Sequence, residues 1–299
     1  MNDKIVKNAN EKWKKIADNW EQLGPTAKPS EEEIELYRAI SLIELSEKAK
    51  IKVVILGSTP ELRDMCSDFF DSKIESITCV DATEDMYHAM SRLLKSKNTK
   101  EKFVHGNWLN LSEYFEKESI DIIYGDHIVS NVGGKENELF SEIKTILKND
   151  GCFISKIQHT DTTDELIKVV PAYEKLQYYA KKLRENNINL KTAFTQFGLY
   201  LLFSSYFLNN QNEISFSYWA DQIDQLDEKV LLSDDKYEKD ILDMCHKIWW
   251  NWRSVKWTQY EKSVIHKIIK DNFYIKDEVM APGHDFIKQT SIYRLKKNQ

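Results

Sequence analysis

The first half of the chain alternates between apolar runs of strand length and amphipathic patterns of helical period. Helical patterns cover residues 84–94 and 136–147, and the second has apolar side chains three or four positions apart. The strand-length runs are Ile51–Leu56 and residues 77–80, 102–105, 120–125 and 151–157, and Asn-Asp-Gly at residues 149–151 predicts a turn before the last of them. Strands that alternate with helices in this way predict a mostly parallel sheet with helices on both faces.

A helical arm is predicted before the sheet, over residues 1–50. Trp13 and Trp20 are seven positions apart, so they would share one face of a helix. Ser30, followed three positions later by Glu33, is the capping-box pattern that begins a second helix.

The pattern changes after the fifth strand. Residues 162–270 are aromatic-rich and helix-like with no convincing strand, and strand-like sequence returns at residues 277–280 and 291–295. We interpret the helical stretch as an insertion that covers the ligand edge of the sheet. The predicted organisation is an arm (1–50), a sheet core (51–160), a helical lid that binds substrate (161–270) and C-terminal strands that complete the sheet (271–299).

The composition is typical of a folded protein, and the net charge disfavours some classes of binding partner. Of the 299 residues, 41% are hydrophobic and 30% are charged, which provides enough apolar material for a sizeable core. The formal net charge of −6 argues against a broad surface for nucleic acid or an anionic membrane.

The cysteines bear on the cellular compartment. The four of them are widely spaced and form no CxxC pair, so no metal site is predicted, and reduced thiols in a cytoplasmic protein are favoured. The polar first residues lack the apolar core of a signal peptide, and no apolar run approaches the roughly 18 residues that span a bilayer. We expect a cytoplasmic protein that does not cross a membrane, and we leave its oligomeric state open, with a homodimer as one option.

The turn after the first strand has the chemistry to hold an anion. Gly57 ends the strand, and Ser58, Thr59 and Pro60 lead into a helical segment that Thr59 can cap. The free amides and the positive dipole end of that helix would face the sheet edge, ready for a carboxylate or phosphate. The alternative is a plain strand-ending turn.

An acid ends the second strand. Asp81, followed by Ala82, lies 24 residues after Gly57, close to the roughly 20 typical of units in which such an acid binds the ribose hydroxyls. The same acid would repel a 2′-phosphate, which disfavours NADP. Met86 on the next helix is a candidate to lie against an adenine ring. The alternatives are a solvated acid and a core methionine.

Two further pairs follow the third and fourth strands. Asn107 and Trp108 could bind and pack against a base, although Trp108 is equally suited to the core. Asp126 and His127 follow the fourth strand, where open sheets bind ligands, and are the predicted catalytic residues. A histidine has a pKa suited to general-base work near neutral pH, but His127 could also point into the next helix.

These motifs in this order resemble the class I S-adenosylmethionine-dependent methyltransferases, in particular bacterial small-molecule members. The resemblance is carried by VVILGSTPEL, ITCVDAT, FVHGNWLNL, IDIIYGDHIVSNV and LKNDGCFI. It implies a Rossmann-like seven-stranded sheet whose last strand inserts antiparallel, with S-adenosylmethionine as cofactor and S-adenosylhomocysteine as product. The implied cofactor residues are Gly57, Ser58, Thr59, Asp81, Ala82, Met86, Asn107, Trp108 and Asp126.

The chain departs from the family pattern at three places. Only Gly57 remains of the usual two or three glycines, Ile55 stands where an acid usually precedes them, and Asn107 replaces the commoner acid. The fourth-strand motif GDHIVSN is also unlike the NPPY-type signature of nucleic-acid amino-methyltransferases, which disfavours that substrate class.

The resemblance implies methyl transfer to oxygen or nitrogen of a small-molecule metabolite. The aromatic lid, which includes Trp250, Trp252 and Trp257 with Arg253 beside them, is either an aromatic substrate pocket or ordinary core. One competing hypothesis is a catalytically degenerate module that binds S-adenosylmethionine or another protein. Another is a nicotinamide-dependent oxidoreductase, which is weakened by the missing GxGxxG and YxxxK motifs.

Overall fold

The computed structural model describes residues 16–46, 48–96, 98–209, 213–249 and 256–298. Its strands are β1 (Ile51–Leu56), β2 (Ile74–Asp81), β3 (Glu101–His105), β4 (Ile120–Asp126), β5 (Leu147–Gln158), β6 (Glu213–Ser215), β7 (Lys256–Thr258), β8 (Phe273–Met280) and β9 (Thr290–Lys297). Its helices are α1 (Glu31–Leu45), α2 (Pro60–Phe70), α3 (Glu84–Ser91), α4 (Glu136–Ile146), α5 (Ala172–Arg184), α6 (Leu190–Asn209), α7 (Phe216–Leu231), α8 (Lys236–Ile248) and α9 (Lys262–Asn272).

Seven strands form one sheet in the order β3-β2-β1-β4-β5-β9-β8. The strands from β3 to β5 pair in parallel, and β9 is inserted antiparallel between β5 and β8. The predicted α/β fold, with its mostly parallel seven-stranded sheet and antiparallel last strand, is therefore confirmed. The chain order reverses between β1 and β4, which is the point where open sheets of this kind bind ligands.

Each face of the sheet is covered by helices, as the near-continuous apolar runs of the central strands require. One buried cluster joins α1 and α2 to the sheet through residues such as Tyr37, Leu62 and Ile55. On the opposite face, α4 and α9 contribute Phe140 and Ile269 to a second cluster.

A third buried cluster belongs to the helices that follow β5. Phe197, Trp219 and Cys245 from α6, α7 and α8 pack together there, and the cluster also includes Trp20 from the chain before α1 and Met86 from α3. The helical segment therefore packs over the carboxyl edge of the sheet. No helix in the described part of the chain is long and apolar enough to cross a membrane.

The start of α1 follows the predicted capping box. The Ser30 hydroxyl accepts a hydrogen bond from the Glu33 amide at 3.1 Å, and the Glu33 carboxylate accepts one from the Ser30 amide at 2.8 Å. These two bonds satisfy donors that the first turn of a helix would otherwise leave unpaired.

Two details of the sequence prediction are wrong. The region predicted to contain no strand carries a short antiparallel hairpin, β6 with β7. The turn predicted at residues 149–151 lies within β5, because Ile120 pairs with Leu147 while Ile122 pairs with Cys152, which leaves the intervening residues of β5 as a bulge. Trp13 of the predicted arm lies outside the described residues.

Candidate active site

A cavity of about 480 Å³ lies at the carboxyl ends of β1, β2 and β4, within the size range of small-molecule sites. The sequence-predicted residues Gly57, Ser58, Thr59, Asp81, Ala82, Met86, Asn107, Trp108, Asp126 and His127 all line it. The structure thus brings together side chains that are up to 70 positions apart in the sequence.

The loop after β1 is shaped by Gly57. Its φ of +96° lies in the region that favours glycine, and its amide donates to the carbonyl of Val80 at 2.8 Å. The indole nitrogen of Trp108 donates to the same carbonyl at 2.7 Å. Thr59 occupies the capping position before Pro60, as predicted, but its side chain makes no capping bond. The first amides of α2 are therefore not satisfied by that side chain.

Asp81 is fixed at the end of β2 by two donors. The Ser58 hydroxyl donates to one carboxylate oxygen at 2.7 Å, and the amide of Thr83 donates to the other at 3.0 Å. Burial raises the pKa of Asp81 to about 6 against the opposing effect of these bonds. The carboxylate is therefore ionised at neutral pH and oriented for further hydrogen bonds.

Asn107 and Trp108 form the wall beyond β3. The side-chain oxygen of Asn107 accepts from the Leu109 amide at 3.0 Å, which leaves its NH₂ group as the donor available to a ligand. The nitrogen of Trp108 is already bonded to Val80, so its indole offers the cavity ring surface. Met86 is 7% exposed and belongs to the core under the helical segment, although it also reaches the cavity.

His127 is held in an unusual position after β4. Its φ is +55°, and its Nε2 donates to the carbonyl of Thr26 at 2.6 Å. Nδ1 is then the unprotonated nitrogen, and it has no hydrogen-bond partner among the residues that the structure describes. Burial and the nearby charge of Lys156 lower the pKa of His127 to about 3. A neutral imidazole of this kind accepts a hydrogen bond but is a weak base at neutral pH.

Asp126 is the more suitable proton acceptor of the predicted pair. Its side chain is 3% exposed, and one oxygen lies 3.3 Å from the ammonium of Lys156. Burial raises the pKa of Asp126 to about 6, because Lys156 offsets only part of the cost of burying the charge. That pKa is close to the value that favours general-base work near neutral pH.

The rest of the cavity wall comes from residues outside the predicted cofactor and catalytic residues, although Trp257 was a candidate for an aromatic substrate pocket. Those with apolar side chains include Ile16, Trp20, Leu23, Ala27, Ile128, Val132 and Trp257. Trp257 stacks beside His127 with ring centroids 6.4 Å apart and planes 16° from parallel. The sequence signal that could have identified Trp20 is a tryptophan in a segment that covers the sheet edge.

Most aromatic side chains of the helical segment are core. Tyr179, Trp219 and Trp249 are buried in the cluster shared by α5 to α8, whereas Trp257 reaches the cavity. The side chain of His284, in the turn before β9, is fully buried with Nε2 3.7 Å from Glu33, and this residue does not line the cavity. Trp250, Trp252 and Arg253 lie outside the described residues.

The sheet order is that of α/β proteins that bind ligands at the carboxyl edge of the sheet. Residues 62–155, from α2 into β5, match the family model described as a methyltransferase domain. This match covers about a third of the chain, and with the inserted antiparallel strand it agrees with the predicted class I S-adenosylmethionine-dependent methyltransferase.

Solved structures share the fold at low sequence identity. A candidate S-adenosylmethionine-dependent methyltransferase from Listeria monocytogenes has a TM-score of 0.50 at 9% identity over 90% of this chain and 100% of that chain. The CurJ carbon methyltransferase has a TM-score of 0.50 at 9% identity over 91% of this chain and 56% of that chain. A candidate zinc-dependent alcohol dehydrogenase from Rhodobacter sphaeroides has a TM-score of 0.55 at 13% identity over 98% of each chain. These likenesses show the fold alone, and no curated protein matches the sequence.

Proposed function

We propose that this enzyme transfers the methyl group of S-adenosylmethionine to an oxygen or nitrogen atom of a small-molecule metabolite. The observation that carries the proposal is one cavity with two kinds of wall. Its polar wall is built from the loops after β1, β2 and β3, and its apolar wall from the chain before α1, the turn after β4 and β7. The first wall suits the cofactor and the second suits a compact acceptor.

The loop residues have the chemistry to hold each part of the cofactor. The turn at Gly57, Ser58 and Thr59 suits its methionine carboxylate, and the ionised Asp81 suits its ribose hydroxyls. The adenine would lie toward Ala82, Met86, Asn107 and Trp108, where an amide NH₂ and aromatic surface are present.

The sulfonium of bound S-adenosylmethionine supplies the reactive methyl group, so the protein mainly has to align the acceptor and exclude water. Asp126 is placed to accept the proton that an acceptor O–H or N–H loses. The bare Nδ1 of His127 is suited to accept a hydrogen bond that orients the acceptor, since its low pKa makes it a poor base.

Three observations support a small-molecule acceptor and a cytoplasmic location. Trp20 and Leu23 from the N-terminal arm and Trp257 from the proposed lid, residues 161–270, narrow the acceptor end. The net charge of −6 does not favour a nucleic acid. All four cysteines are buried and free, which supports a reducing compartment.

Label transfer into a cell extract tests the function. The enzyme is incubated with methyl-¹³C S-adenosylmethionine and with the low-mass or the macromolecular fraction of the extract, beside Asp81→Ala as the cofactor-site variant. We expect ¹³C-methyl in a low-mass compound and an equal amount of S-adenosylhomocysteine, both reduced in the variant.

Label confined to the macromolecular fraction would overturn the small-molecule proposal. Calorimetric binding of S-adenosylhomocysteine without turnover of S-adenosylmethionine in either fraction would instead support a binding module without catalysis.

A further inference from the structure

Three buried charges lie behind the cavity. Lys156 and Glu33 have fully buried side chains, and the Lys156 ammonium is 3.0 Å from Glu33 and 3.3 Å from Asp126. Asp126 lines the cavity, whereas Lys156 and Glu33 do not. Lys156 and Glu33 therefore do not touch a molecule bound in the cavity, and Asp126 is the cavity-lining residue that the Lys156 ammonium contacts.

Separate elements hold this cluster in place. Asp126 and Lys156 are register partners on the adjacent strands β4 and β5. Glu33 is in the first turn of α1, and its Oε2 accepts from both the Ser30 amide and the Lys156 ammonium. One turn later, the Tyr37 hydroxyl donates to the Gly125 carbonyl at 2.7 Å and accepts from the Lys156 amide at 2.6 Å.

The cluster is costly if stability is its only role. Removing three charges from water carries a large desolvation penalty, and buried ion pairs can often be replaced by apolar side chains at little cost. One ammonium also serves two carboxylates, so Lys156 and Glu33 act on the charge of Asp126 in opposite directions. Burial alone would raise the pKa of Glu33, but Lys156 and nearby hydrogen bonds lower it to about 2, so Glu33 stays ionised.

The other charged or titratable groups around Asp126 are few. Tyr37 on α1 and Glu61 on α2 face it, and His127 follows it with Nε2 3.9 Å from its Oδ1. His284, between β8 and β9, faces Glu33. Among these groups, Lys156 is the cation that lies in direct ion-pair contact with Asp126.

We propose that Lys156 and Glu33 are positioning residues that set the orientation and the charge of Asp126 toward the sulfonium end of the cofactor. This inference rests on the proposed function, since it requires S-adenosylmethionine to bind in the cavity beside Asp126. A carboxylate there attracts the sulfonium of S-adenosylmethionine and has no such charge to attract in S-adenosylhomocysteine.

The ratio of affinities for the two nucleosides isolates this effect. Calorimetry from pH 5 to pH 8.5 gives the dissociation constant of each nucleoside. Protonation of Asp81 should change both dissociation constants equally, because Asp81 would contact the ribose that both nucleosides share, so its effect cancels in their ratio. In the wild type we expect the preference for S-adenosylmethionine over S-adenosylhomocysteine to fall as Asp126 takes up a proton, with a midpoint near pH 6.

Two variants should move that midpoint in opposite directions. Lys156→Met removes the cation and should raise the midpoint by about one pH unit or more. Glu33→Gln removes the competing anion, keeps an oxygen for the Ser30 amide, and should lower the midpoint. The matched control is Lys48→Met, because Lys48 pairs with the buried Asp121 at the opposite end of β4, 3.1 Å away, and should leave the midpoint unchanged.

The proposal is supported if the pH midpoint rises in Lys156→Met and falls in Glu33→Gln, whatever the change in melting temperature. General destabilisation of the fold cannot move the midpoint in opposite directions in two variants. Equal midpoints in all proteins, or shifts in one direction, would overturn it. If Lys156→Met does not fold, the downward shift in Glu33→Gln decides alone. Absence of binding of either nucleoside to the wild type would refute the proposed function itself.

Discussion

At the scale of single residues, Asp81 carries the clearest prediction. Asp81→Asn keeps the size of the side chain but replaces the charged acceptor that Ser58 and Thr83 orient. Hydrogen bonds to a charged group contribute about 1.5–3 kcal/mol, so we expect the dissociation constant of S-adenosylhomocysteine to rise about 10- to 100-fold in calorimetry at pH 7.5. Asp85→Asn on α3, a residue that does not line the cavity, is the control. Unchanged affinity in Asp81→Asn would remove Asp81 from the cofactor site.

The ionised side chain of Asp126 should lower the free energy of unfolding of the wild type. Its pKa in the folded protein, about 6, is above its ordinary value of 3.8, so the folded state binds this proton more tightly and stability rises as pH falls from about 6 to 4. At pH 7.5 the ionised side chain therefore costs the wild type about 3 kcal/mol. Asp126→Asn removes that cost and leaves Lys156 paired with Glu33.

We expect Asp126→Asn to be more stable than the wild type in urea unfolding at pH 7.5 and to lose most of this advantage by pH 4.5. A variant that is equally destabilised at both pH values would show that the Lys156 contact outweighs the burial of Asp126.

The residues that end strands could be predicted from the sequence, because an acid after an apolar run must lie at the carboxyl edge. Lys156 was visible too, as a lysine inside the apolar strand sequence GCFISKI. Its partner could not be predicted, because Glu33 lies 123 positions away and only the packing of α1 on the sheet brings them together. The low basicity of His127 likewise depends on burial, which a motif does not encode.

At the scale of elements, the capping box of α1 supports both the helix and the buried cluster. Ser30→Ala removes the acceptor of the Glu33 amide while leaving the Glu33 carboxylate in place. We expect a loss of about 1 kcal/mol in the free energy of unfolding, measured with urea at pH 7.5. Ser46→Ala at the other end of α1, where the side chain is exposed, is the control. A loss no greater than that of the control would mean that the capping bond contributes little.

The strands of the main sheet were predictable because each is an apolar run bounded by turn signals. The hairpin of β6 and β7 was not, because three residues are too few to show a period of two. The bulge in β5 replaces the predicted turn, because Asn-Asp-Gly is typical of turns but the strand pairing continues on both sides of it. Thr59 shows the same limit, because a residue type that favours the capping position does not guarantee that its side chain forms the capping hydrogen bond.

At the scale of the whole molecule, the cavity lies between the sheet with its two buried clusters and the helical segment with its own buried cluster. The sheet is held by buried clusters on its two faces, whereas α5 to α8 and the chain around Trp20 share a cluster of their own. The sequence predicted the helical segment as an insertion, but the participation of the N-terminal arm in its core follows only from the fold. Trp20 and Trp257 belong to the helical cluster and line the cavity beside the sheet loops, so motion between these two units would change the acceptor end of the cavity.

We therefore expect hydrogen exchange at low urea concentrations to resolve two cooperative units. Amides of α5 to α8 should open together at a lower free energy than those of β1, β4 and β5, because the central strands are covered on both faces.

The predicted cofactor residues lie mainly on the loops of the sheet, so S-adenosylhomocysteine at about 100 times its dissociation constant should raise the opening free energy of the strands by about 2.7 kcal/mol. The helical unit should gain less, since it can open while the cofactor stays bound. A single opening free energy for all protected amides, raised equally by the ligand, would show instead that lid and sheet unfold as one body.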